Sequence, residues 1–414
     1  MSLRIRGGNV LLEGGAFVET DLILADGRIA AIGGGAADSE FDARGLLVLP
    51  GIVDLHGDAF ERQLMPRPGV HFPADMALLD TDRQLLANGI TTAFHGLTWS
   101  WEPGLRGREA AFALMDALDG LRDRLSCETR IHLRHEIYNL AAEPTILDWI
   151  ARGRISVLAF NDHLPDILAK RAPLSGLRPF ADRAGLSLEA FADLLDAVGQ
   201  REGEVTASVE RLAAAARHAG IALVSHDDST PKVRNYYHDL GCRLCEFPLN
   251  HETAWVGRAL GDWIIMGSPN VMRGGSHAGG LAAATAIRQG LCDILTSDYY
   301  YPALLHAPFR LAADGSCGLG DAWALVSRNP ARAAGLSDRG EIAVGHRADL
   351  LLVEAGDLAL PRLHATLVGG NPVYAGPGRP LNGRPSRQPA SGSGDFAGLP
   401  GNRDLIAFDF ALAQ

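Results

Sequence analysis

The run Pro50-Gly51-Ile52-Val53-Asp54-Leu55-His56-Gly57-Asp58 carries the first chemistry in the chain. An apolar stretch ends in a His and an Asp two residues apart, and residues at i and i+2 of a strand share one face. An imidazole and a carboxylate converging on one point suit a divalent ion of borderline softness, zinc first, with manganese or iron as alternatives. Further polar residues recur at the ends of apolar runs along the chain. Arg130-Ile131-His132-Leu133-Arg134-His135-Glu136-Ile137 has a period of two that puts His132, Arg134 and Glu136 on one face and His135 on the other. Asn161-Asp162-His163, Ser225-His226-Asp227-Asp228, Glu246 and Thr296-Ser297-Asp298 close four more such runs.

Taken singly, each of these residues has an ordinary explanation, since a strand His is often a packed core residue and an Asp after a strand is often a helix cap. Their conjunction is what points to chemistry. His56, Asp58, Glu136, His226 and Asp298 are the expected metal ligands, for one or two ions. Such an ion makes water acidic near neutral pH, and Asp298 is placed to take the proton as general base. Glu136 and His226 are the expected holders of a second ion, with His163 and Glu246 as further candidates.

A second constellation bears on the ligand. Pro269-Asn270-Val271-Met272-Arg273-Gly274-Gly275-Ser276-His277-Ala278-Gly279-Gly280 follows an apolar run, and a Gly-rich loop with Arg273, Ser276 and His277 offers N–H groups and cations to phosphate oxygens. Arg62 is a further cationic candidate behind the first strand. These residues, with His163 and Glu246, make up the expected substrate contacts.

The elements that must position these groups read as alternating strands and amphipathic helices. Eight apolar runs, at 51–57, 90–96, 130–137, 154–161, 220–227, 242–248, 263–267 and 292–298, predict an α/β chain with a (β/α)8 TIM barrel, whose active site forms at the C-terminal strand ends. The long stretch between the fourth and fifth runs holds helical patterns at 187–200 and 205–219, either a lid or an elaborated helical layer. Short strands and Gly turns fill residues 3–34, with Asp26-Gly27 a hairpin signal, and similar sequence returns at 340–353. The division expected is a small β-sandwich domain from both chain ends (1–50 plus 338–376), a barrel over 51–337, and a Gly/Pro-rich tail over 377–414 in which the apolar 404–410 docks back.

Composition sets the outer bounds. The 414 residues, 47% hydrophobic and 21% charged, fit a globular enzyme. A net charge of −11 argues against nucleic-acid or membrane partners and leaves room for a phosphorylated small molecule held locally. No apolar stretch is long enough to span a bilayer, and the first residues do not resemble a secretory signal. Five scattered cysteines point to reduced thiols in the cytoplasm, and the lone Cys242-x-x-Cys245 reads as strand thiols. A homo-oligomer is compatible with all of this. No G-x-G-x-x-G, P-loop or G-x-S-x-G pattern is present.

These residues together resemble the amidohydrolase superfamily: Leu49-Pro50-Gly51-Ile52-Val53-Asp54-Leu55-His56 is similar to its first-strand signature, and Asn329-Pro330-Ala331, Gly340-Glu341-Ile342 and Gly345-His346-Arg347-Ala348-Asp349-Leu350 to its return into the β-domain. Asp54 through Arg62, Arg134-His135-Glu136, Glu246-Phe247-Pro248, Arg273 through His277 and Ser297-Asp298-Tyr299-Tyr300 resemble its phosphonate-metabolism (PhnM) family, over about residues 3–375. That resemblance implies a metal-dependent diphosphatase releasing pyrophosphate from a ribose 1-alkylphosphonate 5-triphosphate. Two runs depart from the family pattern: Leu164 through Lys170, where a Thr-Pro-Gly-Gln type run is usual, and Leu249-Asn250, where two Thr are usual. The alternatives are hydrolysis of an amide, a cyclic ureide or another anionic substrate, or a non-enzymatic metal or ligand-binding protein on a retired barrel.

Overall fold

The computed structural model describes residues 2–275 and 280–376. Two eight-stranded sheets organise them. The first joins both chain ends: β1 (Ser2–Leu11), β2 (Phe17–Ala25), β3 (Arg28–Ile32), β4 (Ser39–Asp42), β5 (Leu47–Pro50), and then β14 (Leu350–Glu354), β15 (Arg362–Val368) and β16 (Asn371–Ala375). Its order is β16-β15-β14-β5-β1-β2-β3, with β4 pairing on β1. Asp26 and Gly27, both at positive φ (50° and 76°), make the tight β2–β3 hairpin that this dipeptide favours. Strand pairing joins both chain ends in this small β-domain, as expected, around a core that includes Ile5, Val10, Leu22, Phe41, Val48, Leu350 and Leu352.

The second sheet is the barrel. Its strands are β6 (Ile52–Gly57), β7 (Ile90–Trp99), β8 (Glu128–Glu136), β9 (Val157–Asn161), β10 (Ala222–His226), β11 (Leu244–Glu246), β12 (Trp263–Gly267) and β13 (Ile294–Thr296), all parallel and in sequential order. Strands buried on both faces need near-continuous apolar or β-branched sequence, and β7 is buried along its whole length. Val53, Phe94, Val157, Val224, Leu244, Ile265 and Ile294 fill the interior. Closure occurs where a bridge joins Gly57 to Asp298, with the Asp298 N–H donating to the His56 carbonyl (2.9 Å) and the Asp58 N–H to the Asp298 carbonyl (3.0 Å). Gly57 is required there: a Cβ would lie 2.8 Å from both Asp54 Oδ2 and Ser297 Oγ.

Between β9 and β10 the chain makes helices Leu164–Ala169, Arg178–Ala184, Leu188–Gly199 and Glu202–His218. The first three share a small core of their own around Leu177, Phe191 and Leu195, which seats them beside the barrel mouth. Thr230 and Asn250 cap the helices Pro231–Asp239 and His251–Ala259 that follow β10 and β11, accepting from Val233 N and Thr253 N. Asn250 therefore does the capping work that Thr also does, whereas Leu249 beside it stands exposed in the wall of a cavity at the barrel mouth. Among the described residues no helix is long and apolar enough to cross a membrane. The tail from 377, with its apolar 404–410, lies outside the described residues.

Candidate active site

The strand ends converge as the barrel rule requires. Three groups of ligand-type atoms lie within 4.8 Å of one another: His56, Asp58 and Asp298; His56, His226 and Glu246; and His163, His226 and Asp227. His56 is fully buried and its Nδ1 meets Glu246 Oε2 at 2.9 Å, which leaves Nε2 without a partner. Glu246 Oε1, His226 Nδ1 and His132 Nε2 are likewise buried and unpaired, although His226 Nδ1 lies 2.9 Å from Asp227 Oδ2 outside hydrogen-bond alignment. Unpaired buried N and O atoms clustered in this way are costly unless something binds them, and this donor set suits a divalent ion. Burial forces the His56 imidazole down to about 3 and His132 down to about 4, and it lowers His226 as well. The His56 and His132 rings are therefore neutral, the form that ligates metal.

The period-two reading of β8 holds. His132 Nδ1 meets the Leu55 carbonyl at 2.8 Å, Arg134 Nη1 donates to Asp58 Oδ2 at 2.9 Å, and Glu136 Oε1 sits 2.5 Å from His163 Nδ1. Ile131, Leu133 and Ile137 pack the opposite way, under the helical layer. Glu136 belongs to none of the three donor groups found among the described residues, and its carboxylate is engaged with His163. Burial opposes a charge on His163, but Glu136 and Asp227 outweigh it and raise the ring to about 9. Glu136 and Asp227 are held low in turn: burial works against them, and His163 and His226 overcome it. His163 is thus a cation braced by two carboxylates.

Asp298 is the outlier among the carboxyls. Burial, reinforced by the Asp58 charge, pushes it up to about 8. Its backbone sits at φ 54°, and Asp227 (57°) and Phe247 (53°) share that left-handed conformation just past β10 and β11. Non-glycine residues adopt it at a cost, and here it turns each chain out of its strand at the site. Phe247 packs edge-on against both His56 and His226, with ring centroids 5.2 and 5.1 Å away. Behind the site, buried Asp54 accepts from Ser297 Oγ at 2.5 Å and Ser297 N at 3.0 Å, tying β6 to the end of β13.

Two cavities open from the centre, with Arg134 in the wall of both. The larger, 620 Å³, is lined by His226, Asp227, Phe247, Asn270, Asp298 and Tyr299 among others. The smaller, 190 Å³, reaches under the helical excursion past Arg106, Lys170, Phe180 and Arg183. Arg62 joins neither: it is exposed, because the short helix Glu61–Leu64 turns Glu61 inward to pair with Arg106 and Arg62 outward. The expected phosphate loop begins instead as a helical turn, Ser268–Arg273, with Asn270 stapling Leu281 and Ala283. Arg273 is exposed at its end, in a long 3.4 Å contact with Tyr299 Oη. Ser276 and His277 lie outside the described residues.

Arg134, Asp227, Arg106, Lys170 and Arg183 were not among the expected site residues. Arg134 had a usable signal, since it shares a strand face with Glu136, and Asp227 directly follows His226. The other three come from separate loops, with no spacing to mark them. Cys242 and Cys245 are buried free thiols behind the barrel wall.

A parallel barrel with His, Asp and Glu donors at its C-terminal mouth defines a hydrolase of the amidohydrolase superfamily. The model of the Amidohydrolase family matches residues 271–374, and the beta-aspartyl dipeptidase structure from Fervidobacterium islandicum AW-1 superposes with a TM-score of 0.61 at 15% identity, over 91% of this chain and 97% of that one. The alpha-D-ribose 1-methylphosphonate 5-triphosphate diphosphatase of Escherichia coli (strain K12) is 35% identical over 332 residues, 76% of this chain and 85% of that protein. The adenine deaminase of Methylobacterium sp. (strain 4-46) is 26% identical over 416 residues, 96% of this chain and 62% of that protein. The chain belongs to the family of the E. coli diphosphatase and is an enzyme of the amidohydrolase superfamily.

Proposed function

We propose that this enzyme is a divalent-metal-dependent diphosphatase that cleaves the 5-triphosphate of a ribose 1-alkylphosphonate and releases pyrophosphate. The observation that carries the reading is the placement of the His56–Asp58–Asp298 donor group against the Arg134 guanidinium, between two cavities. The extended likeness to the E. coli diphosphatase supports it.

In this reading His56, Asp58 and Asp298 hold one ion, and His226, with Glu246 or Asp227, serves a second. Zinc suits the mixed N and O donors best, with manganese or iron as alternatives. When bound, the ion supplies Lewis acidity toward a phosphoryl oxygen and makes water acidic near neutral pH. Asp298, a carboxylate when it holds the ion, accepts the proton of the water whose oxygen attacks phosphorus. The anhydride P–O bond breaks and the electron pair leaves with pyrophosphate. Arg134, fixed by Asp58, and protonated His163, fixed by Glu136 and Asp227, stabilise charge on the phosphoryl oxygens. Glu136 thus acts through His163. Phe247 closes one side of His56 and His226 against water. The five free cysteines fit a reducing cytoplasm.

The test is pyrophosphate release from ribose 1-methylphosphonate 5-triphosphate by metal-loaded wild type, Asp298→Asn and chelator-stripped protein. Release by the first alone is the expected result. Full activity after verified metal removal, or none from loaded wild type, overturns the reading.

A further inference from the structure

The smaller cavity contains more cationic groups than the chemistry above uses. Its walls include Arg106, Arg134, Lys170 and Arg183, drawn from the loop after β7, from β8 and from the helical excursion. Each arginine already has a carboxylate: Arg106 grips Glu61 through Nε and Nη2 (2.9 and 2.8 Å), and Arg183 grips buried Glu102 in the same way (2.7 and 3.0 Å). Such forks hold a guanidinium rigid and leave its Nη1 donors unused. Lys170 differs. Its ammonium stands 5.2 Å from the centre of the Phe180 ring and has no carboxylate partner among the described residues. A cation set on an aromatic face beside two pre-oriented arginines is built to meet an anion.

Size then indicates what kind. At 190 Å³ the cavity falls below the roughly 300–1,000 Å³ of a complete small-molecule site, yet it shares Arg134 with the 620 Å³ cavity that holds Asp298. It therefore suits one strongly charged end of a ligand whose remainder lies on the other side. We propose that Lys170, with Arg106 and Arg183, forms the subsite for the terminal phosphates of the substrate, the portion that leaves as pyrophosphate. This deepens the diphosphatase reading and rests on it for the identity of the anion. It also moves phosphate recognition from the expected Arg273 loop to the helical excursion. The departure at Leu164 through Lys170 gains a purpose, because that run brings Lys170 to the cavity.

The chain offers a direct test, since Lys170 and Lys232 are its only lysines and both are exposed. Metal-loaded protein is treated with a limiting amine-acylating reagent, and modification at each lysine is followed by mass spectrometry. Tripolyphosphate and pyrophosphate should slow acylation of Lys170 by about tenfold or more while Lys232 reacts unchanged. Methylphosphonate should protect neither. In kinetics, Lys170→Ala should lower kcat/KM by about tenfold, with kcat falling as well, because the lysine faces the end that takes up charge as pyrophosphate departs. Equal acylation of Lys170 with and without polyphosphate overturns the subsite, as does parallel slowing at both lysines. Protection by methylphosphonate alone overturns its assignment to the triphosphate end. Protection without pyrophosphate release from wild type removes the diphosphatase reading and leaves the subsite; release without protection does the reverse.

Discussion

Arg234 is fully buried behind the site, and replacing it with Met should be among the most damaging single changes outside the mouth. Its Nη1 donates to Asp228 Oδ2 (2.9 Å) and Ser225 Oγ (2.6 Å), its Nη2 to the Cys242 carbonyl (2.8 Å), and its Nε lies 3.4 Å from Asp262 Oδ2. Deleting one member of a buried ion pair costs about 3–5 kcal/mol, and an orphaned carbonyl adds about 1–3 kcal/mol. Asp262 keeps His238 at 2.9 Å, so the loss concentrates on Asp228. Burial already raises the Asp228 carboxyl, and a proton there caps the penalty. We expect Arg234→Met to lose about 4 kcal/mol at pH 7, a large share of the stability of a typical domain. A carboxyl with a raised folded pKa destabilises above that pKa and is relieved as pH falls, so the deficit should shrink toward pH 5. Urea unfolding with an unchanged slope measures it. Adding Asp228→Asn removes the stranded charge and should recover about 2 kcal/mol. A single-variant loss under about 1 kcal/mol, or no recovery in the double variant, would refute the reasoning.

Other outcomes are equally definite. Asp298→Asn should lower kcat by about 10²–10⁴-fold with the melting temperature held, since Asn tolerates the left-handed backbone at this position; a kcat within about threefold of wild type excludes Asp298 as the base. In chelator-treated protein, the stabilising contribution of His163 is complete below its unfolded pKa of 6.5 and disappears as pH rises through about 9. Urea midpoints of wild type and His163→Gln should therefore draw together over that window, and parallel curves would contradict the braced-cation description. Phe247→Gly relieves a left-handed backbone cost of about 1–2 kcal/mol while deleting a half-buried ring, so stability should change by only about 1 kcal/mol. Its kcat/KM should fall by about tenfold, because the ring no longer shields His56 and His226. Unchanged activity would show that the ring is packing alone.

The barrel was legible because parallel strands buried on both faces must be written as apolar runs between turns. Each of the eight expected runs overlaps an observed strand; several overshoot, whereas β7 runs on to Trp99 and β8 begins early at Glu128. The runs expected at 220–227, 242–248 and 292–298 end as strands at His226, Glu246 and Thr296. At two of these ends the excess begins with Asp227 and Phe247, and at the third it includes Asp298; all three are left-handed residues that leave the ladder, a feature composition does not encode. Period two placed Arg134 and Glu136 correctly on one face, but whether Glu136 meets a metal or a histidine depends on a loop reached only through the fold. The choice between Glu61 and Arg62 was a one-residue phase question in a four-residue helix, too short for periodicity to settle. Lys170, Arg106 and Arg183 meet only because the excursion after β9 folds back over the loop after β7, a long-range contact with no local trace.

Barrel closure at Asp298 has a consequence for how activity arises during synthesis. The proposed base is also the seam: its N–H and carbonyl bond to His56 and Asp58, which precede it by more than 200 residues in the sequence. β5, one residue before β6, waits in turn for β14 to complete its own sheet. A partly made chain can carry His56 and Asp58 but cannot bring Asp298 to them. Competence is therefore acquired in a single late step, gated by the slow pairing of distant strands. Opening the seam alone, by contrast, separates Asp298 from His56 and Asp58 and should silence the proposed chemistry without unfolding the rest of the barrel.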